Sequence, residues 1–119
     1  MENEVIVDTN ALMLPFQKGL DIEKNLEELL GRFTIIVPES VIRELERLSQ
    51  GNPEARAALS YSKRFKILKT DLEGDKSIIK IAENLKCYVL TNDSRMIRIL
   101  KRKGIKVIRP RGERRLVFA

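Results

Sequence analysis

Apolar positions along this chain follow two alternating rhythms. Short continuous runs, rich in β-branched residues, occur at Glu4–Val7, Phe33–Val37, Cys87–Leu90 and Ile105–Ile108. Mostly apolar runs of that length read as buried strands. Between them the apolar residues recur every three or four positions, the spacing of an amphipathic helix. The pattern predicts a short helix over 9–14 closed by Pro15, and a second over 21–30 on Ile22, Leu26, Leu29 and Leu30, stopped by Gly31. A third is opened by Pro38, which costs a helix little in its first turn. It runs to about Ser49 and buries Val41, Ile42, Leu45 and Leu48, with Arg43 and Arg47 facing away. A fourth covers roughly 53–64 after the break at Gly51-Asn52-Pro53. A fifth follows Gly74 with Ile78, Ile79, Ala82 and Leu85 on one face, and a sixth covers 94–103, ended by Gly104. Phe65–Leu68 and Leu116–Phe118 predict further short strands, the latter at an edge, while Pro110 closes the strand before it.

Strands that alternate with helices over the whole length predict a parallel sheet with helices on both faces. No repeat, low-complexity stretch or linker interrupts the pattern, and 119 residues suit one domain spanning 1–119. Right-handed crossovers make the strands point one way, so the residues that follow them gather at one rim.

Composition narrows the chemistry. With no histidine in the chain, a Ser-His-Asp triad, a Cys-His pair and a histidine-held zinc are all impossible. One cysteine, Cys87, cannot form an internal disulfide and fits a buried core thiol. The start, Met1-Glu2-Asn3-Glu4, is acidic where a secretory leader would be basic, and no apolar run approaches the ~20 residues of a membrane span. The expectation is a cytoplasmic protein without a membrane partner.

Charge is unevenly placed. Residues 95–115 hold ten basic residues and one acid, a local balance of +9, whereas the rest stands at −3. Such an end suits a polyanion, nucleic acid first among them. At 5% aromatic residues and no tryptophan, contact would rest on phosphates more than on stacked bases. A solvated helix face with a tail is the plainer alternative.

Four acids fall where a doubly wound sheet binds its ligands, outside the carboxyl ends of the strands. Asp8 ends the first strand and Asp93 follows the strand that ends at Leu90. Each also suits a helix N-cap. Asp75 opens the helix after Gly74, in line with Ile79 and Ala82, and capping is again the alternative. Glu44 lies at the margin of the Val41, Leu45 and Leu48 stripe, where a carboxylate needs an ion-pair partner or a cation. Four carboxylates at one rim repel one another unless a cation intervenes. Oxygen ligands without imidazole or thiolate suit Mg²⁺ or Mn²⁺, ions competent for phosphodiester hydrolysis.

The segments Val7-Asp8-Thr9-Asn10-Ala11-Leu12, Val37-Pro38-Glu39-Ser40-Val41-Ile42-Arg43-Glu44-Leu45, Gly74-Asp75-Lys76-Ser77-Ile78-Ile79 and Thr91-Asn92-Asp93, in this order, resemble the PIN domain. Within it, Cys87–Asp93 and the basic helix beyond look most like the branch that processes small-subunit ribosomal RNA, and like compact archaeal members. The resemblance implies a three-layer α/β/α sandwich with a central parallel sheet of four to five strands. It implies a Mg²⁺- or Mn²⁺-dependent endoribonuclease whose acidic quartet is Asp8, Glu44, Asp75 and Asp93, supported by Asn10 and Thr91. Arg95, Arg98, Lys101, Arg102, Lys103, Arg109 and Arg111 would then hold RNA. The family's toxin branch pairs with antitoxins and commonly forms homodimers, and its ribosomal branch works with assembly factors, so either protein partner is open. A zinc ribbon is ruled out by the single cysteine. A catalytically silent RNA-binding protein is the main rival. A phospho-acceptor domain would need an acidic pair and a late lysine, and an Asp-x-Asp phosphatase would need an acid where Asn10 stands.

Overall fold

β1 (Asn3–Val7) takes the middle of the sheet because Val5, Ile6 and Val7 have no exposed surface on either face. The computed structural model describes residues 3–119; Met1 and Glu2, the first half of the acidic start, lie outside the described residues. β2 (Phe33–Pro38) and β4 (Tyr88–Leu90) flank β1 in parallel, with Val5 opposite both Ile35 and Tyr88 and Val7 opposite Leu90. β3 (Lys66–Leu68) joins β2 in parallel, and β5 (Val107–Arg111) joins β4 in parallel. β6 (Arg115–Phe118) turns back antiparallel on β5. The sheet order is therefore β3-β2-β1-β4-β5-β6: five parallel strands, within the four to five expected, and the antiparallel edge strand β6 beside them. The chain moves outward from β1 to β3, then returns to the other side of β1 with β4. The crevice of this fold accordingly opens between the carboxyl ends of β1 and β4.

Helices complete the three layers: α1 (Thr9–Lys18), α2 (Ile22–Leu30), α3 (Glu39–Leu48), α4 (Pro53–Ser62), α5 (Gly74–Leu85) and α6 (Ser94–Arg102). α1, α3 and α4 pack on one another, while α2 packs on β2 and β6. α2 is capped by Asp21, whose carboxylate accepts the Lys24 N–H, and α4 carries Pro53 in its first turn behind the Asn52 cap. Cys87 is buried just before β4, where loss of water pushes its thiol up to about 11, a core thiol with no reactive character.

Five expectations are corrected by the structure. Pro15 does not close α1; the helix runs through it to Lys18 and ends at left-handed Gly19. One missing N–H is the local cost, and the extra turn lets Phe16 meet the Tyr61 ring edge-on at 5.7 Å. Pro110 likewise does not close β5. It pairs with Leu116 beyond the last β4 contact, at Ile108, where no neighbour on the β4 side needs its missing N–H. On α3, Leu48 is 41% exposed rather than buried, and Ile42 is half-buried. On α5 the buried stripe is Ser77, Ile78, Ile81 and Ala82, with Leu85 exposed. Pro38 ends β2 and serves as the N-cap of α3 instead of opening the helix.

The contrast between two leucines of α3 is testable. Leu45 is fully buried, so Leu45→Ala should cost about 2–5 kcal/mol in denaturant unfolding. Leu48→Ala should stay within about 0.5 kcal/mol of the parent.

Candidate active site

The β1–β4 crevice is set by main-chain geometry first. The Asp8 N–H donates to the Leu90 carbonyl at 3.3 Å, which ties the end of β1 to the end of β4. Beyond these ends both strands turn into helices, and each helix is capped by an aspartate. Asp8 caps α1: its Oδ1 accepts the Ala11 N–H at 2.9 Å. Asp93 caps α6: its Oδ1 accepts the N–H groups of Arg95 and Met96. Thr91, wholly buried, joins the two. Its hydroxyl donates to Asp8 Oδ2 at 2.5 Å and accepts the Asp93 N–H at 3.1 Å. The cap and the catalytic reading of these acids therefore coexist. Both oxygens of Asp8 have protein partners, while among the described residues Asp93 Oδ2 has none.

Two further elements bring the other acids to the same cleft, of about 600 Å³, which is lined by Asp8, Asn10, Glu44, Asp75 and Asp93. All four predicted acids thus face one space. Asp75 was expected on the core-facing side or as a cap, and it is neither. The N-cap of α5 is Glu73, and among the described residues the exposed Asp75 carboxylate accepts no hydrogen bond. Glu44 is half-buried and lies 3.9 Å from Arg47, an ion pair of long reach. Arg47 lines the cleft instead of facing away.

The charges are felt mutually. Burial raises the Asp8 carboxyl to about 6, the bonds from Thr91 and Ala11 pull it down, and the negative charges of Asp75 and Asp93 push it up. Asp75 is also raised, by partial burial first, then by Asp93 and Glu44, with Arg95 opposing. Among the described residues no three acids stand close enough for all to hold one ion. This donor set suits Mg²⁺ or Mn²⁺: such ions bind through one or two carboxylates and keep several waters, whereas a dehydrated cage would need more converging groups.

Several residues at the cleft were not singled out from sequence. Ser40 and Ser77 are buried with hydroxyls 2.6 Å apart. Ser77 donates to the Gly74 carbonyl, so its only proton is used and Ser40 must donate to Ser77. That chain fastens the start of α3 to the start of α5, hence Glu44's helix to Asp75's. Arg43, also expected to face away, reaches across to the segment before α5. It donates to Glu39, to Glu73 at 2.7 Å and to the carbonyls of Thr70 and Leu72. Serines at buried helix positions are a weak signal, because only the pairing between distant segments gives them meaning.

The predicted basic grip is divided. α6 starts at the acidic rim and runs back along the sheet, so Arg95 is near enough to act on Asp75. Arg109 and Arg111 lie on β5 at and past its Ile108–Leu90 contact, toward the same rim. Lys101 and Lys103 reach the far end, in clefts shared with Lys106.

Residues 5–113 match the family described as PIN like domain. The chain is 36% identical over 107 residues to Ribonuclease VapC9 of Archaeoglobus fulgidus, covering 86% of this chain and 78% of that protein. It is 31% identical over 113 residues to the rRNA-processing protein FCF1 of Saccharomyces cerevisiae, covering 88% of this chain but spanning only 58% of that protein's length. Among solved structures it matches the PIN domain endonuclease Utp24 with a TM-score of 0.80 and 28% identity, over 97% of this chain and 90% of that one. A domain of unknown function from Methanocaldococcus jannaschii, 22% identical with a TM-score of 0.63 over 92% of each chain, shares the fold.

Proposed function

This chain belongs to the PIN-like domain family, and we propose that it is a Mg²⁺- or Mn²⁺-dependent endoribonuclease acting in the cytoplasm as one nuclease unit over residues 1–119. The observation that carries this reading is the placement of Asp8, Glu44, Asp75 and Asp93 on one cleft at the switch point of the sheet. The residues fall into distinct roles. Asp8 and Asp93 would hold the ion directly, each with one oxygen fixed by its helix cap, and Thr91 sets their relative position. Glu44 and Asp75 would orient the attacking water or complete the shell through other waters. Asn10, exposed at the cleft, is placed to hold substrate or water. When bound, the ion would lower the pKa of a water and offset charge on the phosphoryl oxygens. In-line attack on phosphorus by a water that Glu44 or Asp75 orients would break the P–O3′ bond and leave 5′-phosphate and 3′-hydroxyl ends. Arg95, Arg98, Arg109 and Arg111 would draw the phosphate backbone toward a cleft whose own charge repels it.

Maturation of ribosomal RNA is the role we favour, on the likeness to Utp24 over nearly the whole chain and to FCF1. The likeness to Ribonuclease VapC9 favours a second reading, a toxin ribonuclease held by an antitoxin, with a homodimer as its natural state. Purified protein incubated with end-labelled single-stranded RNA should cut internally in Mn²⁺ or Mg²⁺ and stop on chelation. Product-end mapping should give 5′-phosphates. Cleavage that continues in excess chelator removes the metal; RNA bound but never cut leaves only an assembly protein. Mapping of sites on ribosomal precursor and on transfer and messenger RNA separates processing from toxicity.

A further inference from the structure

At the opposite end of the sheet from the acids, three stretches of chain, at Asn3, residues 82–88 and residues 103–106, converge on a basic cleft. Lys86 follows α5, Lys103 follows α6, Lys106 precedes β5, and Tyr88 opens β4; together with Asn3 they line a cleft of about 500 Å³. A second cleft of about 410 Å³ shares Tyr88, Ile105 and Lys106 with it and adds Lys101 and Phe118. The acid that lines the pair is Glu83, engaged with Lys103 at 3.4 Å. Lys106 sits 5.9 Å over the Tyr88 ring, and Phe118, half exposed, lies 6.2 Å from the same ring. Lys86 adopts the left-handed conformation (φ 53°) at the end of α5, where glycine is the residue without strain. A long cation stands there instead.

A track joins this end to the acidic rim. Arg95, Arg98 and Arg102 recur at spacings of three and four along α6, all exposed, and among the described residues none forms an ion pair. Nine residues of helix span about 14 Å, which a strand at stacked spacing of ~3.4 Å covers in about four nucleotides. Lysines about a cleft with aromatic faces at its wall are the combination that holds single-stranded nucleic acid without reading its sequence.

We propose that the Lys86, Lys103, Lys106 and Tyr88 cleft is a second RNA-binding site, which holds single-stranded RNA running along α6 from the acidic cleft. This rests on the ribonuclease reading above and extends it: substrates long enough to reach both ends are held more tightly than short ones.

The test measures binding of a single-stranded RNA of about 20 nucleotides across a salt series, on Asp8→Asn protein so that nothing is cut. Replacement of Lys86, Lys103 and Lys106 together by alanine should weaken binding about tenfold or more. It should also lower the log–log salt slope by about 2, at about 0.7 per lost phosphate contact. Replacement of Lys63, Lys66 and Lys69, exposed at the β3 edge and equal in charge change, should leave both unchanged. If both triple variants lose affinity equally, the effect is net charge and the site is overturned. If RNA binding ignores the first triple variant, the site is overturned too, and the cleft is left to an acidic protein surface. If the Asp8→Asn protein binds no RNA under any condition, the ribonuclease reading itself fails.

Discussion

The Asp8→Asn variant is expected to be more stable than the parent protein in metal-free buffer at pH 7.5, and nearly inactive. The carboxyl of Asp8 titrates near 6 in the folded protein against 3.8 when free, because burial and two neighbouring carboxylates oppose its charge. A folded-state pKa raised in this way means that the folded protein binds the proton more tightly than the unfolded chain. Its contribution is fully present below pH 3.8, fades as pH rises through 6, and is absent at pH 7.5. At 1.36 kcal/mol per unit the difference is about 2–3 kcal/mol. Asparagine carries no charge to bury. Its oxygen can still accept the Ala11 N–H, and its amide can donate to the Thr91 hydroxyl. Thermal unfolding should therefore rise by roughly 5–10 °C in chelator. Cleavage should fall on the order of 10³-fold, the scale for loss of one preorganised group at a charged transition state. Addition of Mn²⁺ should raise the melting temperature of the parent and not of the variant, because an ion that binds only the folded state stabilises it by mass action. A variant that melts lower than the parent in chelator would show that Asp8 is in place for the fold and not for the chemistry. The same carboxyl makes ion binding pH-dependent: the affinity for Mn²⁺, read by titration, should weaken as pH falls through about 6 because the proton competes for Asp8.

The parts of this site that could be read from sequence are those fixed by short-range pattern. The buried runs Val5–Val7, Ile35–Val37 and Val89–Leu90 are legible because a strand covered on both faces needs continuous apolar residues. Once these strands are parallel, Asp8 and Asp93 share a rim by topology alone. Long-range contacts are not legible in the same way. Nothing local to Pro15 foretells that Phe16 will find Tyr61, so local preference wrongly ends the helix there. Nor does helical periodicity alone foretell that Arg43 reaches the segment before α5 or that the exposed Arg47 lines the cleft, because a guanidinium reaches well past its own backbone position. Arg43 is partnered by Glu73 and two carbonyls some 30 residues away, and Ser40 by Ser77, 37 residues away. These links hold α3 to α5, and through them two of the four acids take their places.

Asp75 separates chemistry from architecture more sharply than any other position. As an aspartate one residue after a glycine at a helix start, it invites a purely structural account. The structure gives the capping position to Glu73 and leaves the Asp75 carboxylate exposed, without hydrogen bond or ion pair among the described residues. Its surroundings are unfavourable: partial burial, Asp93 and Glu44 all hold its carboxyl above the usual range, with Arg95 the one opposing influence. On the proposed reading, a carboxylate kept against repulsion with no local bond would find its compensation in a cation bound in the cleft. Asp75→Asn should therefore leave unfolding within about 0.5 kcal/mol of the parent. It should cut cleavage in Mn²⁺ by about 10²-fold or more, the cost of one lost electrostatic or water-orienting group. Asp71→Asn, an exposed acid in the preceding segment that does not line the cleft, should change neither quantity. Full activity in Asp75→Asn would reduce the working set to Asp8, Glu44 and Asp93. Loss of stability in step with loss of activity would restore the structural account. The expected pattern is a stable, folded and inactive protein, because the residue contributes nothing to the fold that the amide does not.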